Sequence, residues 1–265
     1  TSYVETNVPA SAHEHPLLVQ YGCEEGRAVA SCEIKPIDAA PSLSANGSIT
    51  KWLLLGPYAE NPLAPVGMGN PGYENLAGDW LTDGDISETE IAPEAGDQIE
   101  TDYSGASLAY SLSATPGNPG MNPGGTPTWY LWEDEDHNID YTVIHGSDIN
   151  NVMSYSVCYI HNPTDSVQEV YCGFGSDDSC FVRLNGEEIH YHNEPRGSGG
   201  AIQNQACVSL NPGMNTLLFK TFEAGGGFNF NFRLEDIDGN PIAFDSPFSY
   251  HTSMDAPGGT IAVST

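Results

Sequence analysis

Val170-Tyr171-Cys172-Gly173-Phe174-Gly175-Ser176-Asp177-Asp178-Ser179-Cys180-Phe181-Val182-Arg183-Leu184-Asn185-Gly186-Glu187 decides the fold. Val170, Cys172 and Phe174 recur every second residue, as do Cys180, Val182 and Leu184. Period two puts each set on one face of a strand. The polar stretch Gly175 to Ser179 separates the two strands, and Asn185-Gly186 supplies the positive φ angles of a two-residue hairpin turn. Upstream, Met153, Tyr155, Val157 and Tyr159 alternate with Ser154, Ser156, Cys158 and Ile160. Downstream, strands are expected at 205–210 and 215–221, turned by Asn211-Pro212-Gly213. Phe228, Phe230 and Phe232 then alternate with Asn229, Asn231 and Arg233. Repeated antiparallel strands without a convincing amphipathic helix predict an all-β fold, a jelly-roll β-sandwich.

Further out the rhythm weakens. Lys51-Trp52-Leu53-Leu54-Leu55-Gly56-Pro57 reads as a buried strand ended by Gly-Pro, with Trp52 in the core. Residues 60–128 are loop-rich, with a strand expected at Ser107 to Leu112, and long irregular segments in a compact domain are functional or held by something else. The expected organisation is an extended N-terminal arm over 1–48, a sandwich over 49–245 and a C-terminal tail over 246–265.

The 265 residues include 36 acidic and 7 basic side chains, a formal charge of −29. Such a field repels phosphate backbones and anionic lipid, so neither nucleic acid nor a membrane surface is an expected partner. It favours cations, calcium among them. No apolar run approaches the roughly 20 residues that span a bilayer. A chain opening at Thr1 without a signal peptide reads as a processed product, and six cysteines without C-x-x-C or zinc-type spacing fit an oxidising, extracellular compartment. Cys23 and Cys32 are expected to pair locally, and Cys158, Cys172, Cys180 and Cys207 to form two bridges. The alternative is buried free thiols. Asn46-Gly47-Ser48 is a glycosylation sequon.

Gly173-Phe174-Gly175-Ser176-Asp177-Asp178, Val182-Arg183-Leu184-Asn185-Gly186-Glu187 and Leu210 to Lys220 resemble the galactose-binding-like and PA14-like jelly-roll modules of secreted bacterial proteins. The similarity covers roughly residues 50–235 and takes in Trp52 to Tyr58 and Trp129 to Asp140. It implies a non-catalytic extracellular sandwich, and in some relatives glycan binding. In PA14-like lectins an Asp-Asp pair holds calcium, which holds sugar hydroxyls. Asp177 and Asp178 stand at that place.

Read as residues alone, Asp177 and Asp178 either chelate calcium or cap their loop by accepting backbone N–H bonds. Asp83, Asp85 and Asp97, and Glu133 to Asp136 with Asp140, read as solvated acidic loops, and Asp236 to Asn240 as a turn. His190 and His192 share a strand face expected to be exposed. Trp80, Trp129, Tyr130 and Trp132 are candidates for a sugar-stacking platform, against core packing. No G-x-S-x-G, H-E-x-x-H or phosphate-binding glycine loop is present, so no enzyme is expected. Two functions remain. The first is a structural subunit that self-assembles with copies of itself, its arm adding a strand to the next sheet to give a filament or surface layer. The second is a calcium-dependent carbohydrate-binding module.

Overall fold

The computed structural model describes residues 47–59, 76–77, 79, 87–98, 128–133, 138–145, 150–198, 200–242 and 248–254. Cys23, Cys32, Asn46, Trp80, Asp83, Asp85, Asp134, Glu135, Asp136 and the expected strand at 107–112 lie outside them, as does nearly all of the arm.

Eleven strands and one five-residue helix make up the described elements. They are β1 (Lys51–Ala59), β2 (Tyr130–Glu133), β3 (Ile139–Asp140), α1 (Tyr141–His145), β4 (Val152–Asn162), β5 (Gln168–Asp177), β6 (Ser179–Leu184), β7 (Glu187–His192), β8 (Asn204–Leu210), β9 (Gly213–Glu223), β10 (Asn229–Glu235) and β11 (Ser249–His251). They form two antiparallel sheets. The larger runs β2-β1-β4-β9-β6-β7, with β11 also on β4, and the smaller runs β3-β10-β5-β8. The all-β sandwich read from the sequence is the observed class.

Local chemistry sets most of this. Asn185 and Gly186 both have positive φ, 52° and 82°, and Leu184 pairs with Glu187 across them. A bulge lets β1 continue past Gly56-Pro57 rather than stop there, and pairing with β4 resumes at Tyr58 and Met153. β11 lies in the expected tail, yet Tyr250 pairs with Ile160, on the same side of β4 as β1. Its phenol shares a hydrogen bond with Thr50 Oγ1, 2.8 Å away.

Aromatic rings fill the space between the sheets. Trp52 meets Phe230 edge-on at 5.0 Å, and Phe219 stacks on Phe230 at 4.5 Å. Geometry of this kind adds about 0.5–1.5 kcal/mol per pair to the burial itself.

The larger sheet is buried on its outer face too. Leu53, Leu55, Met153, Tyr155, Val157, Tyr159, Phe181, Leu218 and Phe222 form a second apolar cluster with Leu76, Ile91 and Trp129. Residues 87–98 are anchored there. The Tyr159 hydroxyl donates to Pro93 O at 2.6 Å and the Tyr155 hydroxyl to Glu88 Oε1 at 2.6 Å. Lys220 Nζ donates to both Glu88 oxygens, at 2.8 and 3.0 Å. Part of the loop-rich region is thus a cover held on the sheet, and it explains why β4 is buried on both faces.

Candidate cation site

The chain leaves the smaller sheet at Asp177, the last residue of β5, and enters the larger at Ser179, the first of β6. Only Asp178 lies between them, and the Asp177–Asp178 peptide is cis. Ser179 pairs with Phe222, which brings Glu223, the end of β9, beside Asp178. One carboxylate oxygen from each of Asp177, Asp178 and Glu223 lies within 4.8 Å of the others.

The three differ in how they are satisfied. Asp178 caps two loops: Oδ1 accepts the Arg196 N–H and Oδ2 the Ala224 N–H, each at 3.0 Å. Of the two readings posed from the sequence, chelation and loop capping, the capping is observed at Asp178. Asp177 is half-buried. Desolvation, then the Asp178 charge, raises its pKa, while the Ser198 backbone and the Asn229 side chain oppose the rise. Glu223 is fully buried and neither of its oxygens has a hydrogen-bond partner. The nearby Asp178 N–H donates to Phe222 O at 3.1 Å. Burial, then the charges of Asp178 and Asp177, push the Glu223 pKa from 4.5 to about 8, against the nearby backbone N–H groups of Gly225 and Asp178, which oppose the rise. A buried carboxylate without a partner is expensive, so this one asks for a cation or a proton.

The loop after β9 passes close over the cluster. A Cβ on Gly227 would come within 2.7 Å of Asp177 Oδ2, so the loop approaches as it does only because the residue is glycine. Arg196 turns its guanidinium elsewhere, donating to Ser176 Oγ and Asn204 Oδ1. Three carboxylates in an all-oxygen setting suit calcium, which accepts six to eight oxygens at about 2.3–2.6 Å in flexible geometry.

Other expectations need correction. Cys158, Cys172, Cys180 and Cys207 are free thiols, and the two bridges are not formed. Cys158 and Cys180 lie two strands apart in one sheet, about 9.5 Å before any register offset, beyond the roughly 7 Å that a disulfide spans. Cys172 faces the same inter-sheet core from the other sheet and acts electrostatically on Cys158 without being bonded to it. Cys207, opposite Tyr171, points outward. Burial raises the thiol pKa of Cys158, Cys172 and Cys180.

The aromatic platform does not form among Trp129, Tyr130 and Trp132. Trp129 is 1% exposed in the outer cluster, whereas Tyr130 and Trp132 pack toward the inter-sheet core. Alternation along a strand sends neighbours to opposite faces. His190 and His192 are half-buried rather than exposed, because their partners Val182 and Cys180 face the interior. The His190 ring stacks on Phe174 at 4.8 Å, and burial ahead of the Arg196 charge lowers its pKa to about 4. Asp97 and Glu133 are exposed, and Asp140 caps α1 by accepting the Thr142 N–H at 2.8 Å. Asp236 organises the turn to Asn240, as read from the sequence.

Sequence reasoning missed Glu223, Glu88 and Lys220. Lys220 carried a signal, since it is a lone charge on the face that Leu218 and Phe222 share.

No protein-family model matches the chain, and no curated protein matches it. Solved structures do. The chain is similar to the PA14 domain of the MpAFP antifreeze protein, with 11% identity and a TM-score of 0.37, over 79% of this chain and 96% of that one. A β-glucosidase from Kluyveromyces marxianus matches at 15% identity and a TM-score of 0.33, over 44% of this chain. The same enzyme in complex with glucose matches at 16% and 0.31. The chain spans 15% of the length of that enzyme.

Proposed function

We propose that this chain is an extracellular, non-catalytic β-sandwich module that holds a calcium ion at Asp177, Asp178 and Glu223 and binds glycan hydroxyls there. The observation that carries the reading is the buried, unpartnered Glu223 carboxylate within 4.8 Å of an oxygen on each of two aspartates. Bound calcium supplies a hard cation whose remaining coordination positions accept hydroxyl or water oxygens. Asp177 is half-exposed, which gives solvent and ligands a way in. The Asp-Asp pair at the place where PA14-like lectins carry theirs supports the glycan half.

Self-assembly through the arm, the first reading of the sequence, rests on residues outside those described. The glycan reading is preferred because an observed cluster supports it. Copies of the chain remain proposed partners only in that weaker sense, and nucleic acid is disfavoured by the charge of −29.

Titration calorimetry with calcium, followed by a glycan array with and without chelator, tests the proposal. Calcium binding and chelator-sensitive glycan capture, both lost in Asp177→Asn, are the expected results. Absence of calcium binding at millimolar concentration overturns it, and so does turnover of a glycoside by the purified chain.

A further inference from the structure

The three carboxylates come from different layers of the sandwich. Asp177 closes β5 in the smaller sheet, Glu223 closes β9 in the larger, and Asp178 is the single residue by which the chain passes between them. Glu223 is fully buried, and its two oxygens lack hydrogen-bond partners. Lys220 on the same strand gives it no help, because an odd sequence separation on a strand puts the two side chains on opposite faces. Ala224 already reaches across to Asp178 Oδ2 through its N–H. The loop from Ala224 to Phe228 therefore begins at the cluster and, at Gly227, passes close over Asp177.

We propose that the cation bound here is a staple between the two sheets, with Glu223 as a direct ligand. Occupancy then fixes the end of the sandwich and the loop at 224–228, whether or not a glycan is present. The inference rests on the cation half of the proposed function and is independent of its glycan half. Without the ion, three carboxyl groups from two sheets crowd the end of the sandwich with no counter-charge among them. With it, each sheet contributes at least one anchor to a common centre, and separating the sheets there means releasing the ion. Binding to the native state alone raises its stability by mass action.

Thermal unfolding and calcium titration of the wild type and of Glu223→Gln test this, with Asp177→Asn alongside. In chelator, Glu223→Gln should melt above the wild type, because a buried carboxyl group that is costly to carry into the fold has been replaced by a neutral amide of the same shape. Calcium should raise the melting temperature of the wild type. In Glu223→Gln that rise should largely vanish, and affinity should fall by about 10-fold or more, since ligand charge sets calcium affinity. Magnesium at the same concentration should do less, because it demands a smaller, regular octahedron. Amide hydrogen exchange of the wild type is a second measurement that needs no variant. Calcium should protect residues 224–228 and leave the far hairpin at Asn185-Gly186 unchanged.

Full calcium affinity and a full melting shift in Glu223→Gln would overturn the staple and leave an ion on Asp177 and Asp178 standing. Unchanged protection at 224–228 would overturn it as well. A wild type whose melting ignores calcium would remove both the staple and the cation reading. A calcium shift lost in Glu223→Gln together with a blank glycan array would uphold the staple and end the glycan reading alone.

Discussion

Glu88 and Glu223 are both buried carboxylates beside the same strand, β9, and they are satisfied in opposite ways. Glu88 is 1% exposed and receives Lys220 Nζ at 2.8 Å and the Tyr155 hydroxyl at 2.6 Å, with Arg183 Nε 3.9 Å away. Glu223 meets two aspartates instead. Lys220 decides the difference. It points to the outer face of the larger sheet, over the rings of Tyr155 and Phe181 at 5.3 and 5.4 Å, while Glu223 points to the other face. One face of β9 is thus electrostatically closed within the chain. The other face lacks its counter-charge, and that is where a cation fits.

The largest test of this contrast breaks the closed side. Glu88→Gln leaves Lys220 buried without its charge partner and should cost about 3–5 kcal/mol in urea unfolding. Replacing the pair together, Glu88→Leu with Lys220→Met, should recover most of that loss, because an apolar pair carries no desolvation penalty. A double variant as unstable as the single one would mean that Glu88 acts through something other than the ion pair.

The open side responds to pH. The folded-state pKa of Glu223 lies above its ordinary value, at about 8 against 4.5. Between those limits the unfolded chain has released the proton while the native state still holds it. Stability in chelator should therefore fall as pH rises from about 4.5 to 8 and level off above. Glu223→Gln should remove this contribution, read as the difference between the two pH profiles. Parallel profiles would show that Glu223 is already satisfied.

Tyr155→Phe sharpens the closed side by removing one donor to a charged acceptor, at a cost of about 1.5–3 kcal/mol. The smallest effect belongs to an ion pair at the surface. Lys51 Nζ lies 3.9 Å from a Glu133 carboxylate that is 58% exposed, so Lys51→Ala should change the unfolding free energy by less than about 1 kcal/mol. A larger change would mean that distance, rather than burial, sets the worth of these pairs.

The fold was legible where a short local rule suffices. Asn185-Gly186 demanded a tight hairpin and made one. Phe228, Phe230 and Phe232 had to share a face, and all three are buried in the core. On β4 the same periodicity misleads about direction. The richer row, Met153, Tyr155, Val157 and Tyr159, faces the outer cluster, while Ser156 and Cys158 face the sandwich interior. Ser156 tolerates that position because its hydroxyl shares a hydrogen bond with Tyr141. Asp177 and Asp178 could be singled out from their motif, whereas Glu223, one acid among 36, could not.

The sequence by itself determined the strands, their turns and the sharing of faces, because each depends on a few neighbouring residues and on the two-residue repeat of an extended chain. Tertiary structure alone decided which face lies inward, why the four described cysteines stay apart, and which acids meet. Those outcomes depend on distances between sheets and on register between strands far apart in the chain. A two-residue repeat carries no information about either.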